Sequence, residues 1–279
     1  AACAARGSAQ QAPVLVITGG TVVTVDGAGR VIEHGAVAIS REKILAVDRA
    51  GVIAKAYPDA ERIDAAGHVI MPGLINTHGH APMVLYRGLA DDLALMDWLQ
   101  QYIFPAEAKT VSPAFVRAGT RLAALEMIES GTTTYADMYY FEEEIAAATK
   151  AAGLRGVLAQ TIIQFPVADA KTWQDGLART EAFVRQWRGD PLITPAYGPH
   201  SMYTLDAAML RAIRASDAAF TLIDAVPAAI ADPGMTAIWE QALDLIEAGQ
   251  MTLDTFIAKQ SAWVAQLVRQ HRGATLSIA

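Results

Sequence analysis

Apolar residues recur with two different periods along this chain, and the change of period divides it. From Pro13 to Pro72 the runs are short and strand-like. Val14-Leu15-Val16-Ile17-Thr18 is broken by Gly19-Gly20. Thr21-Val22-Val23-Thr24-Val25 then resumes the run before the turn signal Asp26-Gly27. Ala36-Val37-Ala38-Ile39, Lys43-Ile44-Leu45-Ala46-Val47 and Val69-Ile70-Met71 are further strand candidates. Such runs, set between glycine and proline breaks, predict a small antiparallel β unit over residues 13–72.

From Leu74 strand-like runs alternate with helical patterns. Leu74-Ile75-Asn76-Thr77, Thr132–Asp137, Gly156–Ala159 and Leu192–Tyr197 predict strands. Helices are predicted over about 113–130, 142–152 and 170–187, with Phe115, Leu122, Leu125 and Ile128 on one face of the first. Gly131 and Gly153 are their stop signals. This alternation specifies parallel βα units, and the four units in residues 73–214 amount to half of a (β/α)8 barrel.

After about residue 218 the strand signal disappears until the last few residues. Asp232-Pro233-Gly234 is a break, Thr236 reads as an N-cap, and Ile238, Trp239, Ala242, Leu245 and Ile246 recur at helical spacing. A second helical pattern follows Thr252 and ends before Gly273. Residues 215–279 are therefore expected to form a helical hairpin. The expected fold class is α/β: an incomplete TIM-type barrel, a small N-terminal β subdomain and a C-terminal helical pair.

Composition narrows the function classes. Hydrophobic residues make up 53% and charged residues 18% of the 279, as in a globular protein. The net charge of −7 shows no basic patch, so nucleic acid is not an expected partner. No apolar run is long enough for a transmembrane helix. The single cysteine, Cys3, excludes an internal disulfide. Its setting, Ala1-Ala2-Cys3 followed by a polar stretch over residues 6–11, resembles the end of a bacterial lipoprotein signal. On that reading residues 1–12 are a signal remnant, Cys3 carries a lipid anchor, and the protein is periplasmic or membrane-anchored. Otherwise residues 1–12 are a tail and the protein is cytoplasmic.

The candidate chemistry lies in His78-Gly79-His80. Residues i and i+2 on a strand point to the same face, so two imidazoles there can reach one ion. At the end of a barrel strand they lie on the face where barrel active sites are built, and histidine suits zinc and similar metals. A bare H-x-H also arises by chance as solvated loop histidines, so the neighbouring residues decide the reading.

Those neighbours are Val69-Ile70-Met71-Pro72-Gly73-Leu74-Ile75-Asn76-Thr77 before the pair and Ala81-Pro82-Met83 after it. The string resembles the amidohydrolase superfamily, and most closely its branch of methylthioadenosine/S-adenosylhomocysteine deaminases and triazine chlorohydrolases. Arg87-Gly88-Leu89, Asp97-Trp98-Leu99 and Phe104-Pro105-Ala106-Glu107 are similar to the branch's loop after strand 1. Gly131–Thr134 with Asp137-Met138-Tyr139, Ala152–Gly156 and Gly198–Tyr203 are similar to its strands 2, 3 and 4. The resemblance covers residues 13 to about 214.

The resemblance implies an N-terminal β-sandwich over 13–72 and a divalent metal, zinc or alternatively iron, held by His78 and His80. It implies hydrolytic deamination or dechlorination of a small heterocyclic, purine- or triazine-like substrate by metal-activated water. Trp98 and Glu107 would bind substrate, with Glu107 on the ribose hydroxyls of a nucleoside. His200 would reach the reacting centre, and the protein would form a homo-oligomer. Nucleoside-acting members often carry an arginine at the end of strand 3, where this chain has Gln160, a departure that counts against adenosine-like substrates.

The family's later residues are a third metal-binding histidine, a His-x-x-Glu acid, another histidine and an aspartate. None is found here, and the one histidine after His200 is His271. The segment from about 220 to 278, including Asp232–Gly249, resembles instead the C-terminal part of bacterial type IA DNA topoisomerase III. Acidic residues outnumber basic ones there, which does not favour DNA binding. The expected function is thus a metal-dependent amidohydrolase. The alternative is a catalytically inactive, truncated chimera of an amidohydrolase and a topoisomerase tail.

Overall fold

Strands β1 (Val14–Thr18), β2 (Thr21–Val23), β3 (Val31–Ile32), β4 (Gly35–Ser40) and β5 (Lys43–Arg49) follow the alternation of the first seventy residues. Helix α1 (Ala50–Ala56), β6 (Glu61–Asp64) and β7 (Val69–Ile70) complete that region. The structure is a computed structural model and describes residues 13–201 and 204–216. Cys3, His271, the helical hairpin and the topoisomerase-like tail lie outside the described residues. The chain divides into two compact units between Gly73 and Leu74.

The first unit holds two sheets rather than one antiparallel unit. One has the order β5-β4-β1-β6 and the other β3-β2-β7. β1 pairs antiparallel with β4 but parallel with β6, and β2 pairs parallel with β7. Val16, Ala36 and Ala38 are buried against Ile53 of α1. β6 is exposed along its whole length, so backbone bonds to β1 and not side-chain burial place it there. β2 stops at Val23, short of the expected Val25. That residue has a φ of 50° and stands 65% exposed where the Asp26 carboxylate begins to organise the turn by accepting the Ala28 N–H.

In the second unit β8 (Leu74–Asn76), β9 (Thr132–Tyr139), β10 (Arg155–Ile162) and β11 (Ile193–Pro199) form one parallel sheet, ordered β11-β10-β9-β8. Between β8 and β9 lie a 3-10 turn (81–86), α2 (Leu95–Trp98), a π-helical turn (99–103), α3 (Phe104–Thr110) and α4 (Pro113–Glu129). Helices α5 (Glu142–Ala152), α6 (Trp173–Trp187) and α7 (Ala207–Ser216) follow β9, β10 and β11 in turn. Among the described residues the sheet stays open and no barrel closes. At its edge Leu74 and Ile75 are exposed. Leu158, Ile145, Ile193 and Tyr135, all at most 1% exposed, centre the core between sheet and helices. No described helix is long and apolar enough to cross a membrane.

Two helical details set local stability and position. Thr172 accepts the Asp175 N–H at 3.1 Å while the Asp175 carboxylate accepts the Thr172 N–H at 3.0 Å, a reciprocal cap on α6. Thr172→Ala is expected to lower stability by about 1 kcal/mol. A lowered urea midpoint at constant m-value reads this out, and an unmoved midpoint contradicts it.

On α4 the buried face is Val116, Gly119, Thr120, Ala123 and Ala124, not the expected Leu122, Leu125 and Ile128, which are exposed. The reason is close approach. α4 packs on the 81–86 turn, and a Cβ at Gly119 would fall 2.5 Å from the Pro82 carbonyl oxygen. Only small side chains fit that contact.

Candidate metal and substrate site

Because the four strands are parallel, their C-terminal ends share one edge, and the chemistry-bearing residues collect there. β8 ends at Asn76, so His78, Gly79 and His80 extend past its last ladder pair. Their register is taken over by β9. His80 Nδ1 donates to the Met138 carbonyl at 2.6 Å, and Met138 N–H donates to the Gly79 carbonyl at 3.3 Å. Ala81 N–H donates to Asp137 Oδ2 at 2.5 Å. The two imidazoles stand edge-on with ring centroids 5.1 Å apart.

A carbonyl can only accept, so the bond to Met138 places the His80 proton on Nδ1 and leaves the lone pair on Nε2. Burial lowers the His80 pKa, the charge of His78 lowers it further, and the Met138 carbonyl partly opposes both. This neutral, oriented imidazole fits a metal ligand whose second nitrogen is anchored. The pair therefore fits two positions of a zinc site. Among the described residues no group of three or more His, Cys, Asp or Glu side chains is placed to hold a metal.

Glu107, which a sequence reading could equally leave in solvent, is buried on α3. Its Oε1 accepts the Tyr139 hydroxyl at 2.7 Å. Burial raises the Glu107 pKa and the Tyr139 bond offsets part of that rise. The Tyr139 ring lies 6.4 Å from that of His80, so Tyr139 links the carboxylate to the histidine pair. His200, after β11, is half-buried with Nδ1 at 3.3 Å from both Ser201 Oγ and Thr204 Oγ1. Burial lowers its pKa, and the nearby charge of His80 lowers it further. Contacts thus join His78, His80, Tyr139 and Glu107, and the electrostatic effect of His80 reaches His200. Trp98 is half-buried with its indole N–H on the Leu89 carbonyl at 3.4 Å, which ties it to its own loop.

Gln160 stands level with Tyr139 in the β9–β10 ladder, near the C-terminal edge where the arginine was sought. Strand alternation puts it on the same face as Leu158, toward the helices. Its Oε1 accepts the Glu142 N–H at the start of α5, and its Nε2 donates to Asp169 Oδ2 at 3.0 Å. These bonds occupy the Gln160 amide, so it does not supply the contact that an arginine would make there. Conversely, Tyr139 and Asp137 act on the site and were legible only as part of a motif. Their period-2 spacing in Asp137-Met138-Tyr139 was the available signal, since it puts both on one face of β9. An open cleft of about 560 Å³ lies beside His80 and is lined by Asn76, Arg87, Glu126 and Asp137, among others. Of His78, His80, Glu107 and His200, only His80 lines it.

Comparison with known proteins agrees with this geometry. Residues 69–225 match the Amidohydrolase family. The chain is 46% identical over 195 residues to 5-methylthioadenosine/S-adenosylhomocysteine deaminase 1 of Syntrophus aciditrophicus (strain SB), covering 70% of this chain and 44% of the relative. It superposes with a TM-score of 0.64 and 39% identity on an adenosine deaminase from Xanthomonas campestris with bound zinc, covering 72% of this chain and 46% of that one. A triazine hydrolase from Arthrobacter aurescens shares the fold, with a TM-score of 0.66 at 20% identity over 74% of this chain and 50% of its own. The chain thus spans less than half the length of the deaminase relative.

Proposed function

The chain belongs to the amidohydrolase family, and from that premise we propose that it carries the front part of a zinc-dependent site for hydrolytic deamination of a purine-like ring. The observation behind the reading is the anchored His80, with Nδ1 on Met138 and its ring beside His78 at the C-terminal edge of a parallel sheet. His78 and His80 would hold the ion. When bound, zinc supplies the Lewis acidity that brings the ionisation of water toward neutral pH. The deaminase relatives, at 46% and 39% identity, favour deamination over dechlorination, for which the triazine hydrolase offers fold likeness alone.

The protein groups divide the remaining work. His200 is kept neutral by burial and by His80, so it can exchange a hydrogen bond with the polar ring substituent. Tyr139 holds Oε1 of Glu107, which orients the carboxylate to accept sugar hydroxyls on Oε2. Trp98 would close the substrate side from the loop after β8. Purified chain, dialysed and assayed for bound metal and for ammonia release from 5′-methylthioadenosine, tests this. Zinc near one equivalent with ammonia release supports it. Retention below about 0.1 equivalent counts against it.

A second reading, metal binding without turnover, is favoured by the absence of a three-ligand cluster among the described residues. Zinc retained without ammonia release would select it.

A further inference from the structure

Past Asn76 the His78-Gly79-His80 arm has left the ladder of β8, and three bonds to β9 hold it. Two use the backbone of Met138 and do not depend on its side chain. The third uses a side chain: Asp137 Oδ2 accepts the N–H of Ala81, the residue directly after His80. Asp137 also faces the residue between the histidines, since a Cβ on Gly79 would sit 3.6 Å from the same oxygen. It is 3% exposed, between Tyr135 and Tyr139 on the buried face of β9, where an apolar side chain would serve packing better. Its other oxygen, Oδ1, has no hydrogen-bond partner, so the whole bonding capacity of this buried group goes to the histidine arm.

We infer that Asp137 is a positioning residue, which fixes the histidine arm through Ala81 N–H and thereby sets the orientation of His80 toward its metal. The inference rests on the reading of His78 and His80 as metal ligands. Asp137 touches neither the ion nor the substrate. It acts by keeping Nδ1–H of His80 on the Met138 carbonyl, so that Nε2 alone faces the site. What the arm needs from it is an acceptor oxygen, which an asparagine amide also provides and an alanine does not.

The test uses the full chain and two readouts. Nitrogen-15 NMR of the imidazoles, without metal, reports which nitrogen of His80 carries the proton. Titration with Co²⁺ reports the site's affinity. Wild type and Asp137→Asn are expected to show His80 protonated on Nδ1 and to bind Co²⁺ alike. Asp137→Ala is expected to show a mixture of tautomers and about 10- to 100-fold weaker binding. Should that variant fail to fold, Asp137→Leu keeps the side-chain volume and likewise removes the acceptor. It should produce the same tautomer mixture. A wild-type His80 signal in Asp137→Ala or Asp137→Leu overturns the inference. Wild-type chain that shows the Nδ1 tautomer but binds no Co²⁺ overturns the metal reading instead, leaving the positioning result to stand on the NMR signal.

Discussion

On the proposed zinc-dependent reading, His80→Ala is expected to abolish zinc retention and any deamination together. His80 is the better held of the two imidazoles, with Nδ1 on Met138 at 2.6 Å, and His78 alone would leave one protein ligand from the pair. A catalytic metal supplies several kcal/mol of transition-state stabilisation, so kcat/KM should fall by roughly 10³-fold or more at about 1.4 kcal/mol per tenfold. The fold should tolerate the change, because His80 is only half-buried and lies beyond the strand. His68→Ala is the matching control. His68 is exposed in the first unit, with Nδ1 on the Ala66 carbonyl, and its loss should alter neither metal nor rate. Zinc retained at wild-type level by His80→Ala would remove His80 from the ligand set.

The chain should also lose stability as the pH rises, through carboxyls buried behind β9. Glu142 is fully buried at the start of α5 and neither of its oxygens has a hydrogen-bond partner. The Tyr139 backbone lies close enough to favour its charged form slightly, without reaching hydrogen-bond geometry. Burial, reinforced by the charge of Asp137, pushes the Glu142 pKa well up, and burial pushes Asp137 up despite its bond to Ala81. Both therefore keep their protons in the folded chain where unfolded carboxyls have lost theirs. Their contribution is complete below about pH 4, the range of free carboxyls, and is lost as the pH rises through the raised folded values. Glu142→Gln removes one ionisation and keeps the shape. At pH 8 its urea midpoint should lie above that of the wild type, with a smaller difference near pH 4. Urea midpoints at the two pH values measure this. A variant as sensitive to alkali as the wild type would show that Glu142 is not the source.

The second unit was legible in sequence because β9, β10 and β11 are largely buried and each is followed by a single regular helix. β9 and β11 run two residues past the ends of their expected runs and β10 three, since a parallel partner extends the ladder without asking for apolar side chains. β6 was not legible for the complementary reason. Glu61, Arg62 and Asp64 are polar, the whole strand is exposed, and its pairing with β1 depends on a partner more than forty residues away. The short helices between His80 and Pro113 carry no sustained period and read as loop.

The site was half legible. Histidines two apart announce themselves on a strand, and the motif located Glu107 and His200. Its supports, Asp137 and Tyr139, are ordinary strand residues until the arm is seen to lie against them. Gln160 shows a different limit: its place beside Tyr139 follows from the strand, but the bonds that occupy its amide, to Glu142 N–H and Asp169, come from segments that the sequence does not place against it.

The contact between Gly119 and Pro82 extends the reach of the site beyond its own edge. Pro82 follows His80 by two residues, and the Pro82 carbonyl would meet any Cβ placed at 119 at 2.5 Å. A single methyl on the outer helix would thus act as a wedge under the histidine arm. A substitution at position 119 would therefore reach the histidine arm from the helix, and a survey confined to residues lining the cleft beside His80 would never sample it.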